Sequence, residues 1–576
     1  MQNALLVITD STSPNNRYGS YLGELLRAEG LNGFRMEELS NVNETLLAQS
    51  GVVILTSCSV TEKTRDLLAN YVAGGGQLII LAPETIWEPL IGLTPLPSGL
   101  LDGYLKLVIT QDVSHGLPAE SFQFHGAARH WVNAGAQTLA TLYSDAISPT
   151  GFPAVALHHH GKGRVVTFSF DLGESIATTR QGNARCACAK LDDANNGPRP
   201  GDLFGAGWID VGKEHIPQAD VLQALLAWVI QMLSPAPLPR FWYLPGLARA
   251  ILLLTGDGEA ADPADFYAEI EGVERYGGHI TFYLKENTQI TSEQEAAWRA
   301  RGHGFGLHPW AGPVPTIQLI RQHWPRQEAL FRAKFGHGSR TIRSHWAQWC
   351  GYVEQPRLLA EMGISMDTNF VSTRPSHGKF MTGSGRAVRF VSEAGEVLPV
   401  WQQATQLEDD ILLRTHAGYG PNPHTYNLSV DEGILFATQF LTASMHHYHT
   451  PIVMNVHPPF YTRFSGPWLD RTLAYAQEQG IPIWCAEEWL SFVEARDAAR
   501  IEQVAYADGQ LSFSLSGVAG DAGLTLCLPV NHNGRVLSQV RRAGEPQEVT
   551  TMAIQQRPYA FVPLDGEELT FEAYYR

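Results

Sequence analysis

The feature that most constrains this chain is a recurrence of short apolar runs across its middle. They fall at residues 250–254, 280–284, 305–307, 341–342, 364–366, 397–400, 452–456 and 481–484, with helical stretches between most of them. Runs this short, separated by helical spacers, read as strands buried on both faces, because a parallel neighbour needs a crossover long enough to hold a helix. Eight such runs predict a (β/α) barrel of seven or eight strands.

In that architecture the residues just past the strand ends converge on one mouth. Five runs end in a ligand-type side chain: Thr255-Gly256-Asp257-Gly258-Glu259, Leu307-His308-Pro309-Trp310, Arg343-Ser344-His345-Trp346, Met366-Asp367-Thr368-Asn369 and Asn455-Val456-His457-Pro458. A carboxylate and two imidazoles leave open positions on Zn²⁺ or a similar ion, where bound water becomes nucleophilic. Asp257, His308 and His345 are the expected metal set. Glu259 and His457 are the expected proton-transfer groups. Trp310, Trp346 and Trp401 follow site strands and offer faces on which a sugar ring can stack, although core packing explains such residues equally well. Asp367 either touches substrate or caps the next helix. Any one strand-end His is more often structural than a ligand; their coincidence at one mouth is the signal.

Around this barrel, expected over residues 245–497, the pattern changes. Residues 1–233 alternate apolar runs (5–9, 52–56, 77–82) with helices (18–27, 61–72), which predicts a parallel sheet. The closely spaced prolines after Ser234 mark a linker, 234–244. Residues 498–576 carry short alternating strands between Gly, Asn and Asp turns, a small β-sandwich. Residues 180–206 form a polar stretch too long for an ordinary connection. Cys186 and Cys188 lie in it without a second ligand pair, and His158, His159 and His160 read as a hairpin turn rather than a metal site. His446, His447 and His449 fall before a strand, on the face opposite the mouth.

Lys and Arg total 41 against 58 Asp and Glu, a net charge of −17 without basic runs, which argues against nucleic acid and anionic membrane as partners. The six cysteines are scattered, not a disulfide framework. With no signal-peptide pattern and no run of transmembrane length, a cytoplasmic protein is expected. Self-association is left open.

On these motifs the middle segment resembles the polysaccharide deacetylase (NodB-homology, carbohydrate esterase family 4-like) superfamily. That resemblance implies a metal-dependent hydrolase of an amide or ester on a carbohydrate or similar polar substrate. It assigns Asp257 to the base, Arg343 to the group that orients it and His457 to the general acid, and it matches His308 to a metal ligand. Gly258 and Gly312 stand where the family has its other two ligands, so Glu259 or Asp257, with His345, must replace them if the site is active. Residues 1–233 resemble class I glutamine-amidotransferase-like, flavodoxin-like domains in pattern. Cys58, which follows a strand, lacks the Gly-x-Cys-x-Gly setting of an amidotransferase nucleophile. A bacterial group that joins the two domain types, with Thr-Gly-Asp-Asp-His and Arg-Thr-His motifs, matches at Asp257, Arg343 and His345. Two other functions fit the same sequence: a catalytically silent glycan-binding barrel, and an amidohydrolase of a non-sugar amide.

Overall fold

The computed structural model describes all residues except 1–2, 109–116, 189–196, 206, 260, 373–379, 415–425, 521 and 566–568. The amino-terminal segment forms one mixed sheet. Strands β1 (Asn3–Thr9), β2 (Phe34–Glu38), β3 (Ser50–Leu55) and β4 (Gln77–Leu81) are parallel in the order β2-β1-β3-β4. Every residue of β3 and β4 is buried, as expected of strands covered on both faces. Beyond them the sheet departs from the all-parallel expectation. Strands β5 (Leu93–Leu107), β6 (Phe122–Asn133), β7 (Gln137–Tyr143) and β8 (Pro149–His160) are antiparallel, and β9 (Gly163–Phe168) joins them to β4. His158–His160 end β8, and Gly161-Lys162 make the turn.

The 234–244 stretch is not an exposed spacer. Its β10 (Arg240–Phe241) pairs antiparallel with Leu526 and Cys527 of the carboxy-terminal segment, and Leu238, Phe241, Trp242, Tyr243 and Leu244 are buried. Glu29 binds Arg240 at 2.9 Å and the Tyr243 hydroxyl at 2.6 Å, and it also takes the Arg386 guanidinium. Burial would raise that carboxyl, but Arg386 and Arg240 outweigh it and hold it low. One buried acid thus ties the amino-terminal, connecting and middle segments together.

The middle segment is a curved parallel sheet: β11 (Ile251–Asp257), β12 (Thr281–Leu284), β13 (Gly304–Leu307), β14 (Thr341–Ile342), β15 (Met366–Asp367), the antiparallel edge strand β16 (Val388–Val391), β17 (Val397–Gln402), β18 (Leu407–Glu408), β19 (Pro451–Asn455) and β20 (Ile483–Cys485). The chain from β17 to β18 pairs first with β15 and then, at Leu407 and Glu408, with β19. One continuous segment therefore bridges the two ends of the parallel path. The 180–206 stretch, where described, packs onto this sheet: Leu203 and Phe204 belong to its apolar core. Residues 500–575 form two antiparallel sheets, and Gln510–Ser516 alternates buried and exposed as a strand with one face on a core does. Among the described residues no helix is long and apolar enough to cross a membrane, and all six cysteines are free.

Candidate active site

Two clusters face one another at the carboxyl edge of the parallel strands. In the first, Glu259 Oε1 lies 2.8 Å from His345 Nδ1 and 3.6 Å from His308 Nε2, and the two ring nitrogens are 3.3 Å apart. The strands explain the convergence: β13 ends one residue before His308, β14 ends three before His345, and β11 ends two before Glu259. His308 is buried, and its Nδ1 lies 2.8 Å from the Arg343 carbonyl oxygen. That bond holds the ring with Nε2 turned toward Glu259 and His345. Burial lowers the pKa of His345 despite Glu259 beside it, which favours the neutral ring. Burial would raise Glu259, but the bonds to His308 and His345 outweigh it and hold the carboxylate far below its usual range. An anionic oxygen and two imidazole nitrogens within 4.8 Å of one another fit a divalent cation such as Zn²⁺.

The residue missing from this cluster is Asp257. The expected set joins Asp257 to these histidines; the structure puts Glu259 beside them, and groups Asp257 with Glu408 and His457 instead. Gly258 shows why the acid comes one position late: a Cβ there would sit 2.9 Å from the Tyr283 carbonyl oxygen and 3.0 Å from Leu284. The longer Glu259, in left-handed backbone (φ 43°), reaches back to the two histidines instead. Its second oxygen lies 3.4 Å from Lys285 Nζ. At Gly312, which matches the other absent family ligand, φ is +94°, a conformation that favours glycine over histidine.

In the second cluster Arg343 Nε lies 3.3 Å from Asp257 Oδ1, an oxygen otherwise buried without a hydrogen-bond partner. Arg343 is held by Thr255 Oγ1 at 3.1 Å and Thr405 Oγ1 at 2.8 Å. His457 Nε2 lies 4.0 Å from Asp257 Oδ2, while its Nδ1 is 2.7 Å from Asp409 Oδ1. Burial would depress the His457 pKa, but Asp409, Asp410 and Asp257 outweigh it and hold the ring well above the usual histidine range.

Trp310 and Trp346 stand at the rim, each 37% exposed, with the Trp346 ring stacked on His345 and Trp310 edge-on to both. Two expected substrate contacts lie elsewhere. Asp367 is fully buried and binds Asn369, whose side chain in turn takes the Ser344 amide and hydroxyl beside His345; its role is to brace that turn. Trp401 is buried on the outer side of the strand, under the Arg389 guanidinium and lining one cavity with Trp489 and Phe492, because alternate residues of a strand face opposite ways.

Sequence reasoning did not find Glu408, Asp409 and Asp410. Their signal is an acidic triplet at the end of an apolar strand, but the continuous apolar run stops at Val400, eight residues before Glu408. The strand in fact resumes at β18. Cys58, buried at the end of β3, has its thiol pushed up to about 12 by burial and then by Asp10 and Glu84, the reverse of an activated nucleophile.

No family model matches the chain, and no curated protein matches it. Among solved structures it is similar to Agd3, a carbohydrate deacetylase, with 12% identity and a TM-score of 0.42 over 100% of this chain and 99% of that one. It is also similar to a candidate polysaccharide deacetylase from Mycobacterium smegmatis, at 13% identity and a TM-score of 0.34 over 46% of this chain and 96% of that one. A cold-adapted β-galactosidase from Rahnella sp. R3 aligns with 29% of each chain at 17% identity and a TM-score of 0.25.

Proposed function

We propose that the chain is a metal-dependent hydrolase that removes an acyl group from an amide or ester on a carbohydrate, built on a deacetylase-type (β/α) barrel. The observation that carries this reading is the division of the mouth into a cation-holding set, Glu259, His308 and His345, and a separate acid–base set, Asp257 with Arg343 and His457 with Asp409. A divalent cation bound to the first set supplies Lewis acidity toward the acyl oxygen and toward water.

The chain's own residues do the rest. Asp257, oriented by the adjacent Arg343, takes a proton from the attacking water. The new C–O bond forms as the acyl C=O opens. On collapse the C–N or C–O bond to the sugar breaks, and His457 gives its Nε2 proton to the departing nitrogen or oxygen. Asp409 holds that ring and balances its charge. Trp310 and Trp346 present apolar ring faces to the sugar.

Elemental analysis of the purified chain beside a His308→Ala, His345→Ala double variant tests the reading. About one equivalent of zinc or another divalent metal, lost in the variant together with acetate release from acetylated glycans, is expected. Metal-free protein after incubation with zinc favours the silent glycan-binding barrel instead. Turnover confined to small non-sugar amides favours the amidohydrolase.

A further inference from the structure

The amino-terminal, connecting and carboxy-terminal segments meet around a cavity of about 440 Å³ that shares no residue with the mouth of the parallel sheet. Gln231 comes to it from the helix Gln218–Leu233, Ala236 and Leu238 from the connecting stretch, and Asn531, His532 and Arg557 from the antiparallel strands Asn531–His532 and Arg557–Pro563. Ala236, Leu238, Pro529 and Pro558 give it an apolar wall, and the amides of Gln231, Asn531 and Gln556 a polar one. In a chain with 58 acidic residues, no Asp or Glu among the described residues lines it.

The charge in this lining is that of Arg557, since burial lowers the pKa of His532, whose Nε2 lies 3.2 Å from the Pro235 carbonyl oxygen. A tight hairpin sets Arg557 in place: Gln555 and Gln556 are both left-handed (φ 50° and 61°), as a two-residue turn requires, and Arg557 pairs with Ile554 across it. The guanidinium lies over Trp228, 5.1 Å from the ring centroid, and among the described residues it makes no ion pair and no hydrogen bond. The buried guanidiniums of Arg180, Arg240 and Arg386 each face a carboxylate; that of Arg557 faces none. Its side chain is half-buried on the cavity, its nitrogens stay accessible, and the burial it does suffer works against its charge. A bound anion relieves that cost.

We propose that this cavity binds a carboxylated sugar, a uronate or similar sugar acid, with the Arg557 guanidinium receiving the carboxylate. With one face against Trp228, the edge of the guanidinium remains free for the two parallel N–H···O bonds that match a carboxylate. The amides of Asn531 and Gln556, both exposed, donate and accept as sugar hydroxyls do, and Leu238 and the two prolines meet the apolar face of the ring. A phosphate ester fits less well, because its nearly double charge meets a single cation here. The site stands independently of the hydrolase reading.

The test titrates the full chain with glucuronate, glucose and glucose 6-phosphate by calorimetry. Glucuronate is expected to bind at least about 10-fold more tightly than either of the others, and about 10-fold more weakly to Arg557→Gln than to wild type. Arg557→Lys, which keeps the charge but not the fork, is expected to lose affinity as well, and it carries the test if melting by circular dichroism shows Arg557→Gln to be unfolded. Glucuronate affinity unchanged in the folded variants overturns the proposal, as does equal affinity for glucose or absence of glucuronate binding by the wild-type chain. Preference for glucose 6-phosphate, lost in Arg557→Gln, overturns it in favour of a phosphate ester.

Discussion

Asp409 grips His457 twice: Oδ1 lies 2.7 Å from the ring Nδ1, and Oδ2 accepts the His457 backbone amide at 3.1 Å. The second bond fixes the first, because ring and backbone of one residue are held by one carboxylate. Ser465 Oγ donates to Oδ2 at 3.0 Å, so the acid itself cannot swing.

Asp409→Asn should therefore act on the proposed proton donor, His457, without touching Glu259, His308 and His345. Burial then dominates the His457 ring, and its pKa falls. The high-pH limb of kcat/KM is expected to move down by about 1 unit or more, with kcat lower by about 100-fold and metal content unchanged. The folded-state pKa of His457 is raised, so the stability it contributes is fully present below its unfolded value near about 6.5 and is lost as pH rises through the folded value. The variant should accordingly lose more melting temperature at pH 6 than at pH 10. An unshifted pH profile would contradict the role of Asp409.

Glu259→Gln keeps the shape of the side chain and removes its charge. Zinc affinity, measured by competition with a chelator, is expected to fall by more than about 100-fold, beyond the loss typical of groups that only support a ligand. Asp257→Asn should instead retain the metal and lose turnover. Equal zinc affinity in Glu259→Gln and wild type would return Asp257 to consideration as the ligand.

The sequence shows the site strands because short, fully buried parallel strands read as continuous apolar text, and β11, β12, β13 and β19 do so. It also shows the polar residues that follow them. What it could not show is which acid meets which histidine. That choice turns on the Tyr283 carbonyl crowding Gly258 and on the left-handed backbone of Glu259, both set by a neighbouring strand. Trp401 was misplaced because its direction depends on strand parity, and a one-residue uncertainty reverses it. Asp409 was hidden because β17 and β18 are parts of one segment joined through polar Gln402, Gln403 and Gln406, each of which makes a side-chain bond to a backbone group across the core.

Asp367 offers a test by pH. Burial raises its pKa to about 7, against the pull of Asn369 and Arg343. Its contribution to stability is thus fully present below about 3.9, the ordinary carboxyl value, and is lost as pH rises through about 7. Asp367→Asn removes that titration, so its stability relative to wild type should improve between pH 5 and pH 8 in urea denaturation. A constant difference across that window would show that Asp367 titrates normally.

For Cys58, a thiol pushed up to about 12 predicts inertness. Iodoacetamide at pH 8 should alkylate the exposed Cys188 well before Cys58. Rapid modification of Cys58, read by peptide mass spectrometry, would reopen the amino-terminal sheet as a catalytic centre.

Gly258→Asp introduces the residue that the motif of the resembled deacetylases carries at the matching position, and motif logic alone predicts a better metal site. The geometry predicts the opposite. A Cβ at 258 meets the Tyr283 carbonyl oxygen at 2.9 Å, Leu284 at 3.0 Å and Phe266 at 3.1 Å. The first of these is backbone in a parallel strand, and the Gly258 amide donates to that same oxygen at 2.8 Å, so neither side can yield without breaking the pairing of β11 with β12. Overpacking of this kind costs about 1–3 kcal/mol, and the displaced turn would carry Glu259 away from His308 and His345. The variant should melt at a lower temperature and bind zinc more weakly than wild type. Tighter zinc binding with an unchanged melting temperature would mean that the turn after β11 can open, and that Glu259 is a substitute for the aspartate rather than the only acid the backbone admits.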